Sequence, residues 1–278
     1  MTPPIRTLAA ESLPTTILRF AEPGGLAGTR QVAVETPVQV VYGTVPYAVM
    51  MATPADVEDF AIGFSLTEGV IQTAADIRAV TAETTPDGIV LRVSLAPGPF
   101  HQVLARRRSM AGRTSCGLCG IEELEALPRA QPHPASGMRI PLASLRRALD
   151  GLAGQQLLNE ATRAVHAAAW AALDGRLVVV REDVGRHNAL DKTIGALLRQ
   201  GIGPQDGFLL VTSRCSYEMV EKAASFGAKL LVAISAPTSL GVARAQEHGM
   251  TLAAIARADA VTVFCGSERI DAPIEEAA

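Results

Sequence analysis

The hydrophobic and polar positions of the first part of the chain predict a small β-rich unit. Valine-rich runs at residues 38–42 and 47–51, separated by a glycine and a proline, are typical of a β-hairpin. Residues 88–95 alternate between apolar and polar positions, as a half-buried strand does. The first 15 residues are rich in proline and threonine and predict a mobile terminal segment.

One helix is predicted inside this unit. Thr53 can cap a helix with its hydroxyl, and it precedes Pro54, a residue that favours the first helical position. Acidic residues follow in the first turns, where the helix dipole favours negative charge. Gly69 predicts the end of this helix. The periodicity then fades over residues 97–120, and four prolines in residues 128–141 predict a loop or linker.

The second part of the chain alternates between strand-like and helix-like segments. Strands are predicted at residues 176–181, 208–212, 230–235, 251–255 and 261–264, and helices at residues 142–151, 155–173, 186–199, 216–226 and 238–247. Successive β-then-α units predict a largely parallel sheet with helices on both faces. We therefore place a domain boundary near residue 125. It separates a small β-rich α+β domain at residues 1–125 from an α/β domain at residues 126–278.

Composition narrows the class of protein. Of the 278 residues, 48% are hydrophobic and 19% are charged, a balance that argues against disorder. Aromatic residues make up only 4% and the formal net charge is −3, so nucleic-acid binding is disfavoured. The N-terminus lacks the apolar stretch of a signal peptide, and the longest uncharged run, residues 36–55, contains three prolines. We expect a cytoplasmic protein that binds neither membranes nor nucleic acids.

Polar turns follow three of the predicted strands, at residues 181–188, 213–218 and 235–239. In a parallel sheet these turns meet at the carboxyl edge, where helix N-termini offer N–H groups that bind anions. Arg186 and Arg214 would add donors for a phosphate-bearing or nucleotide-like ligand. Ordinary helix capping by serine, threonine and aspartate is the alternative interpretation.

His187 is the histidine best placed for acid–base chemistry. Asp183 and Asp191 are its neighbours in sequence, and a carboxylate can orient an imidazole ring. A structural histidine at a helix start is the alternative. Other common catalytic markers are missing, because the chain contains neither a G-x-S-x-G hydrolase motif nor a G-x-x-x-x-G-K-[ST] phosphate loop.

The cysteines supply a sharper feature. Cys116 and Cys119 form a C-x-x-C pair, whereas Cys215 and Cys265 stand alone and are predicted to be small buried residues. The pair fits three interpretations: a structural zinc site that lacks its second pair of ligands, a thioredoxin-like redox couple without the usual preceding strand, or a thiol that carries sulfur as a persulfide. Residues 88–121 contain five arginines and no acid, a charge balance that favours the reactive thiolate.

Three motifs occur together and in a fixed order. They are CGLCG at residues 116–120, EDVGRHNA at residues 182–189 and ISAPTSL at residues 234–240. On these motifs the chain, between residues 53 and 270, resembles the FdhD family of formate dehydrogenase accessory sulfurtransferases. The C-x-x-C pair alone is a weak marker, and the ordered set of motifs makes the resemblance specific.

This resemblance implies a sulfur carrier. Cys116 would receive sulfur from a cysteine desulfurase as a persulfide, and Cys119 would assist its transfer. The acceptor would be the molybdenum cofactor, Mo-bis(molybdopterin guanine dinucleotide), before it enters the catalytic subunit of formate dehydrogenase. The resemblance also implies a homodimer, and an α/β/α mixed-sheet second domain similar to cytidine deaminases. The alternative is a non-catalytic chaperone that binds the cofactor and docks on the dehydrogenase.

The same resemblance assigns cofactor binding to a segment near the C-terminus. The segment comprises Ile255, Ala256, Arg257, Ala258, Asp259 and Ala260. Its first position is usually aromatic and its last is often basic, so Ile255 and Ala260 depart from the family pattern. Asp183, His187 and Arg214 are further cofactor-binding candidates, and GDP or another guanine nucleotide is expected to bind as a surrogate. No metal site is expected, because the H-x-E motif of zinc deaminases does not occur.

Overall fold

The computed structural model describes residues 8–20, 24–107, 129–131, 133 and 137–272. The strands are β1 (Ala10–Leu18), β2 (Gly25–Ala33), β3 (Thr36–Tyr42), β4 (Val45–Ala52), β5 (Ile77–Thr85), β6 (Gly88–Leu95), β7 (Ile140–Pro141), β8 (His166–Ala172), β9 (Leu177–Asp183), β10 (Gly207–Val211), β11 (Leu230–Ala233), β12 (Thr251–Ala254), β13 (Thr262–Cys265) and β14 (Ile270–Asp271). The helices are α1 (Val57–Thr67), α2 (Pro97–Arg107), α3 (Leu142–Leu152), α4 (Leu157–Thr162), α5 (Arg186–Gln200), α6 (Tyr217–Phe226) and α7 (Ser239–Glu247). Cys116, Cys119 and the predicted boundary near residue 125 lie outside the described ranges.

A four-stranded sheet in the order β4-β3-β6-β5 forms the first part of the structure. The predicted hairpin is confirmed as the antiparallel pair β3–β4, and the predicted strand at residues 88–95 is β6. The sequence pattern did not predict β5, because most of its residues are exposed and no buried face imposes an alternation. Val40 and Leu91 of this sheet share one core with Phe60 and Phe64 of α1.

The second sheet has six strands in the order β13-β12-β11-β10-β8-β9. Only the pairs β10–β11 and β11–β12 are parallel, whereas β8 is antiparallel to both of its neighbours and β13 is antiparallel to β12. The prediction of a mixed sheet is therefore confirmed, and the prediction of a largely parallel one is wrong. The β-then-α units gave no sign that an extra antiparallel strand would separate β9 from β10.

That extra strand corrects a predicted helix. Residues 155–173 were predicted to be helical, but α4 ends at Thr162, Arg163 adopts a left-handed conformation, and β8 follows. The run of alanines around Trp170 has high intrinsic helix propensity. It is nevertheless buried on both faces of the sheet between β9 and β10, where small side chains fit and tertiary contacts override propensity.

Helices cover both faces of the six-stranded sheet, as predicted. Ala168 and Trp170 of β8 face the core that contains α5 and α6, whereas Ala169 and Ala171 face the core that contains Leu145 and other residues of α3. The strand period of two thus divides β8 between two hydrophobic cores. Among the described helices, none combines the length and the apolar character that a bilayer span requires.

Two further segments differ from the sequence-based expectation. β1 and β2 pair as an antiparallel hairpin, although the first 15 residues were predicted to be mobile. Its residues are mostly exposed, so the hairpin lacks the hydrophobic alternation that would reveal a strand. α2 occupies residues 97–107, where the fading periodicity predicted no regular element.

The first helix begins later than the sequence predicts. α1 starts at Val57 behind Asp56, which has φ +53° and makes no side-chain cap hydrogen bond. Thr53 is therefore not the N-cap, and its hydroxyl instead accepts a hydrogen bond from the Val184 N–H at 3.1 Å. The predicted end is confirmed, since Gly69 takes a left-handed conformation (φ +64°) just after the helix.

The two parts of the chain meet where α1 crosses α5. A Cβ atom on Gly63 would lie 1.8 Å from the carbonyl oxygen of Asp191, and one on Gly195 would lie 1.9 Å from the carbonyl oxygen of Asp59. Helices usually pack 8–10 Å apart because side chains separate them, and glycine removes that spacer. One hydrophobic cluster consequently extends through both parts of the structure.

We expect Gly63→Ala or Gly195→Ala to lower the free energy of unfolding by about 3 kcal/mol or more, because the new methyl group would overlap a backbone oxygen. Gly154→Ala is the matched control, since a Cβ there meets nothing within 4 Å, and it should change stability by less than about 0.5 kcal/mol. Urea unfolding measures both values. If Gly63→Ala unfolded at the same urea concentration as wild type, the close crossing would be wrong.

Candidate functional site

Four strand ends meet at one edge of the six-stranded sheet. β9, β10, β11 and β12 run in the same direction, because β8 is antiparallel to both β9 and β10 and the other two pairs are parallel. The turns after these strands therefore lie along a single edge, together with the N-termini of α5, α6 and α7. The polar turns therefore meet at one edge, as predicted, although the sheet is mixed. The strand β8 separates β9 from β10 but leaves the two running in the same direction.

The turn after β9 is organised by Asp183, whose side chain is fully buried. One carboxylate oxygen lies 2.6 Å from Lys192 Nζ and accepts a hydrogen bond from the Thr53 N–H at 3.0 Å. The other oxygen accepts from the Gly185 N–H at 2.7 Å and from Asn188 Nδ2 at 3.1 Å. Because both oxygens have protein partners, the contacts indicate that Asp183 positions the turn, and its predicted contact with a ligand stays a prediction.

This network also ties the sheet edge to the first part of the chain. Lys192 Nζ donates to the Thr53 carbonyl oxygen at 2.8 Å, and Asn188 Nδ2 donates to the Met51 carbonyl oxygen at 2.8 Å. Lys192 is fully buried, so its charge is stable there only with an ionic partner and hydrogen-bond acceptors. Sequence reasoning missed Lys192 and Thr53, since nothing in the local pattern shows that they meet.

His187 lies at the start of α5 and faces a carboxylate from the neighbouring helix. Its Nε2 atom is 3.0 Å from Glu218 Oε2, and Arg186 Nη2 is 4.0 Å from the same oxygen. Burial alone would raise the pKa of Glu218, but the close approach and charge of His187, with the charge of Arg186, lower it overall. The structure thus pairs His187 with Glu218, and not with the predicted Asp183 or Asp191. The only sign of Glu218 in the sequence is that it is an acid in the first turn of a predicted helix.

A half-buried histidine lies beside this pair. His166 begins β8, opposite Asp183 in the sheet register. Its burial lowers its pKa, and the positive charge of Arg186 lowers it further. The histidine is thus biased toward its neutral form at the carboxyl edge. Sequence reasoning did not select His166, because it falls inside the segment that was predicted to be helical.

The turns after β10 and β11 are joined through their backbones. The Cys215 N–H donates to the Ala236 carbonyl oxygen at 3.2 Å, and the Thr238 N–H donates to the Cys215 carbonyl oxygen at 3.0 Å. Burial raises the pKa of the Cys215 thiol to about 12, so this sulfur stays protonated at neutral pH, as expected of a structural cysteine. Arg214 is exposed in the same turn, where it can reach a ligand.

The predicted cofactor segment forms the fourth turn, after β12. Ile255 has φ +53°, a left-handed conformation that is strained for a β-branched residue, and its side chain remains 40% exposed. The Arg257 guanidinium donates to the Ala256 carbonyl oxygen at 2.9 Å and to the Ile234 carbonyl oxygen. Arg257 therefore holds this turn against the end of β11, while residues 258–260 are exposed, and their predicted contact with the cofactor stays a prediction.

The predicted C-x-x-C pair, Cys116 and Cys119, lies outside the described ranges. The chain is described again beyond them, and there the Ala130 N–H donates to Glu221 Oε2 of α6 at 2.6 Å. Within the described ranges, no three histidine, cysteine, aspartate or glutamate side chains gather as metal ligands would. The described cysteines, Cys215 and Cys265, carry no disulfide.

Comparisons with known proteins agree on one group. A family model described as the FdhD/NarQ family matches residues 33–271. The chain is 46% identical to the sulfur carrier protein FdhD of Xanthomonas euvesicatoria pv. vesicatoria, over 97% of this chain and 96% of that protein. It is 44% identical to the sulfur carrier protein FdhD of Bordetella petrii, over 89% of this chain and 90% of that protein.

A solved structure agrees with the sequence comparisons. It belongs to a protein of Desulfotalea psychrophila, described as a candidate formate dehydrogenase accessory protein. The TM-score is 0.75 at 26% sequence identity, and the likeness covers 94% of this chain and 99% of that one. The mixed α/β fold of this chain is thus shared with that protein. The predicted resemblance to cytidine deaminases stays a prediction.

We expect Asp183→Asn to lower the free energy of unfolding by about 3–5 kcal/mol, because it leaves Lys192 as a buried cation without a carboxylate. Lys192→Met should cost a similar amount, and the double variant should cost less than the sum. A double-mutant cycle in urea measures the coupling. Glu83→Gln at the exposed pair with Arg92 is the control, with an effect of at most about 1 kcal/mol. Additive effects at Asp183 and Lys192 would contradict the pair.

Proposed function

Because the chain belongs to the FdhD/NarQ family, we propose that it carries sulfur from a cysteine desulfurase to the molybdenum cofactor of a formate dehydrogenase. The observation that carries this proposal is the near full-length similarity to proteins named sulfur carriers, with the C-x-x-C pair present in this chain. The structural neighbour described as a formate dehydrogenase accessory protein supports the choice of dehydrogenase.

Cys116 is the proposed carrier of the sulfur. The described cysteines are poor candidates, because burial raises the pKa of Cys215 to about 12 and also raises the pKa of Cys265. The Cys116 thiolate would attack the terminal sulfur of the donor persulfide. A new S–S bond forms on Cys116, the donor S–S bond breaks, and the electron pair leaves with the donor cysteine as a thiolate. Cys119 is proposed to assist the later release of that sulfur.

The carboxyl edge of the six-stranded sheet is the proposed site for the acceptor. This acceptor, the cofactor Mo-bis(molybdopterin guanine dinucleotide), carries pyrophosphates. The N-termini of α5, α6 and α7 offer N–H groups that bind such anions. The exposed Arg214 and the anchored Arg257 add positive charge at this edge. His187 and Glu218 lie at this edge, and the buried Asp183–Lys192 pair holds the turn after β9 in place. The expected homodimer stays a prediction.

We expect persulfide to form on wild-type protein incubated with a cysteine desulfurase and cysteine, as detected with a persulfide-sensitive label. Cys116→Ala should lose the label, because Cys119 is proposed only to assist release and the described thiols, Cys215 and Cys265, are protonated or half-buried. Cys265→Ala is the control and should be labelled like wild type. An unlabelled wild type, or a Cys116→Ala variant labelled as strongly as wild type, would rule out Cys116 as the sulfur carrier.

The alternative is a chaperone that binds the cofactor without carrying sulfur. The observation that favours it is that, within the described ranges, contacts of Asp183, Cys215 and Arg257 organise the turns of the carboxyl edge. Complementation of cells that lack the native protein distinguishes the two functions, with formate dehydrogenase activity as the measurement. If a variant with both cysteines changed to alanine matured formate dehydrogenase fully, the chaperone function would replace the sulfur carrier.

We expect GDP to bind as a fragment of the acceptor, and Arg257→Gln to weaken its binding about 10-fold or more, because a charge-assisted hydrogen-bond donor is lost. Titration calorimetry measures the Kd. Arg176→Gln is the control, since that exposed arginine lies in the β8–β9 turn at the opposite edge of the sheet. Equal Kd values for the two variants would remove Arg257 from the binding site.

A further inference from the structure

At the edge of the six-stranded sheet away from the proposed cofactor site, two cationic side chains lie close together and are largely buried. Lys229 immediately precedes β11 and is only 7% exposed. Arg269 lies in the 3₁₀ turn Ser267–Arg269 that follows β13. Thr251, the first residue of β12, connects them, because its N–H donates to the Lys229 carbonyl oxygen at 2.8 Å and its hydroxyl accepts from Arg269 Nη1 at 3.0 Å.

Among the described residues, neither cation has a buried carboxylate as its partner. The hydrogen-bond partner of Lys229 Nζ is the His133 carbonyl oxygen at 3.3 Å, a neutral acceptor. Arg269 Nη1 lies 3.6 Å from Glu268, but that carboxylate is 72% exposed and remains hydrated. Arg269 Nε is buried without a hydrogen-bond partner. Buried cations elsewhere in this structure are paired with buried carboxylates, as Lys192 is with Asp183.

The titratable groups that act on Lys229 and His133 are basic. Burial lowers the pKa of Lys229 and the charge of Arg269 lowers it further, and the pKa of His133 is lowered by burial and by Lys229. His248 also acts on His133. Glu221, a buried acid that contacts His248, accepts from Arg244, His248 and the Ala130 N–H, so its charge is already shared among these donors.

We propose that Lys229 and Arg269, with His133 at the rim, bind a small oxyanion of the phosphate type. A tetrahedral oxyanion would offer acceptors to Lys229 Nζ and to Arg269, whose buried Nε lacks a hydrogen-bond partner, and it would supply the missing negative charge. Lys229 and Ile234 lie at opposite ends of β11, five strand steps apart, so this site is about 16 Å from the cofactor turns. It is independent of the sulfur transfer proposed above.

Inorganic phosphate is the probe that tests this site on the full chain. At constant ionic strength, replacing chloride by phosphate should raise the Tm of the wild type saturably, by about 3–8 °C. Titration calorimetry with saturating GDP present should still detect phosphate, because the two sites lie at opposite edges. Lys229→Gln and Arg269→Gln should each weaken phosphate binding about 10-fold or more, and Arg78→Gln, an exposed arginine of β5, should leave it unchanged.

Three results would overturn the proposal. They are a wild type without saturable phosphate binding, a Lys229→Gln variant with the wild-type Kd, and stabilisation by acetate as large as that by phosphate, which would make the ligand a carboxylate. His133→Gln changes an exposed side chain and keeps the test decisive should the buried variants fail to fold. We expect it to weaken phosphate binding about threefold, since a rim group contributes less than a buried one. An unchanged Kd in a folded His133→Gln protein, with both buried variants unfolded, would also count against the site.

Discussion

The backbone contact between α1 and α5 is the constraint on which the rest of the structure depends. Gly63 and Gly195 let the helices approach until a Cβ atom would overlap a carbonyl oxygen of the other helix. No larger residue permits this distance, so the relative position of the two sheets is set by two glycines. Thr53, which precedes α1, and Thr67, the last residue of α1, both contact the second part of the chain.

Buried ionic groups follow this crossing and would be costly without it. Asp59 of α1 accepts from Arg181 Nη2 at 2.7 Å and from Arg199 Nη1 at 2.8 Å. Burial alone would lower the pKa of Lys222, but the charge of Asp191, whose carboxylate lies 2.9 Å away, raises it overall. Asp59 meets both arginines, and Lys222 lies 3.5 Å from Glu68, only when α1 is docked against the second part of the chain, so these contacts specify one arrangement of the two parts.

The two edges of the six-stranded sheet have opposite electrostatic arrangements. At the carboxyl edge the charges are paired internally, as in the buried Asp183–Lys192 pair and in the approach of His187 to Glu218, and helix N-termini are left to meet an anionic ligand. At the other edge Lys229 is buried and Arg269 is largely buried, and neither has a buried carboxylate partner among the described residues. The first arrangement fits a large anionic cofactor, and the second fits a small oxyanion.

The sequence alone determined the elements in which the spacing of apolar residues shows which face is buried. α5, α6 and α7, the strands β10 to β12, the polar turns between them and the order of the three motifs are all local properties of the chain. Tertiary structure decided the rest, because it depends on residues that are far apart in sequence. An alanine-rich segment became β8 by insertion between two strands, and Thr53 became a partner of Asp183, 130 positions away, rather than a helix cap. Likewise, no local pattern shows that Lys229 and Arg269 come together, since only the pairing of β11, β12 and β13 brings their ends to one edge.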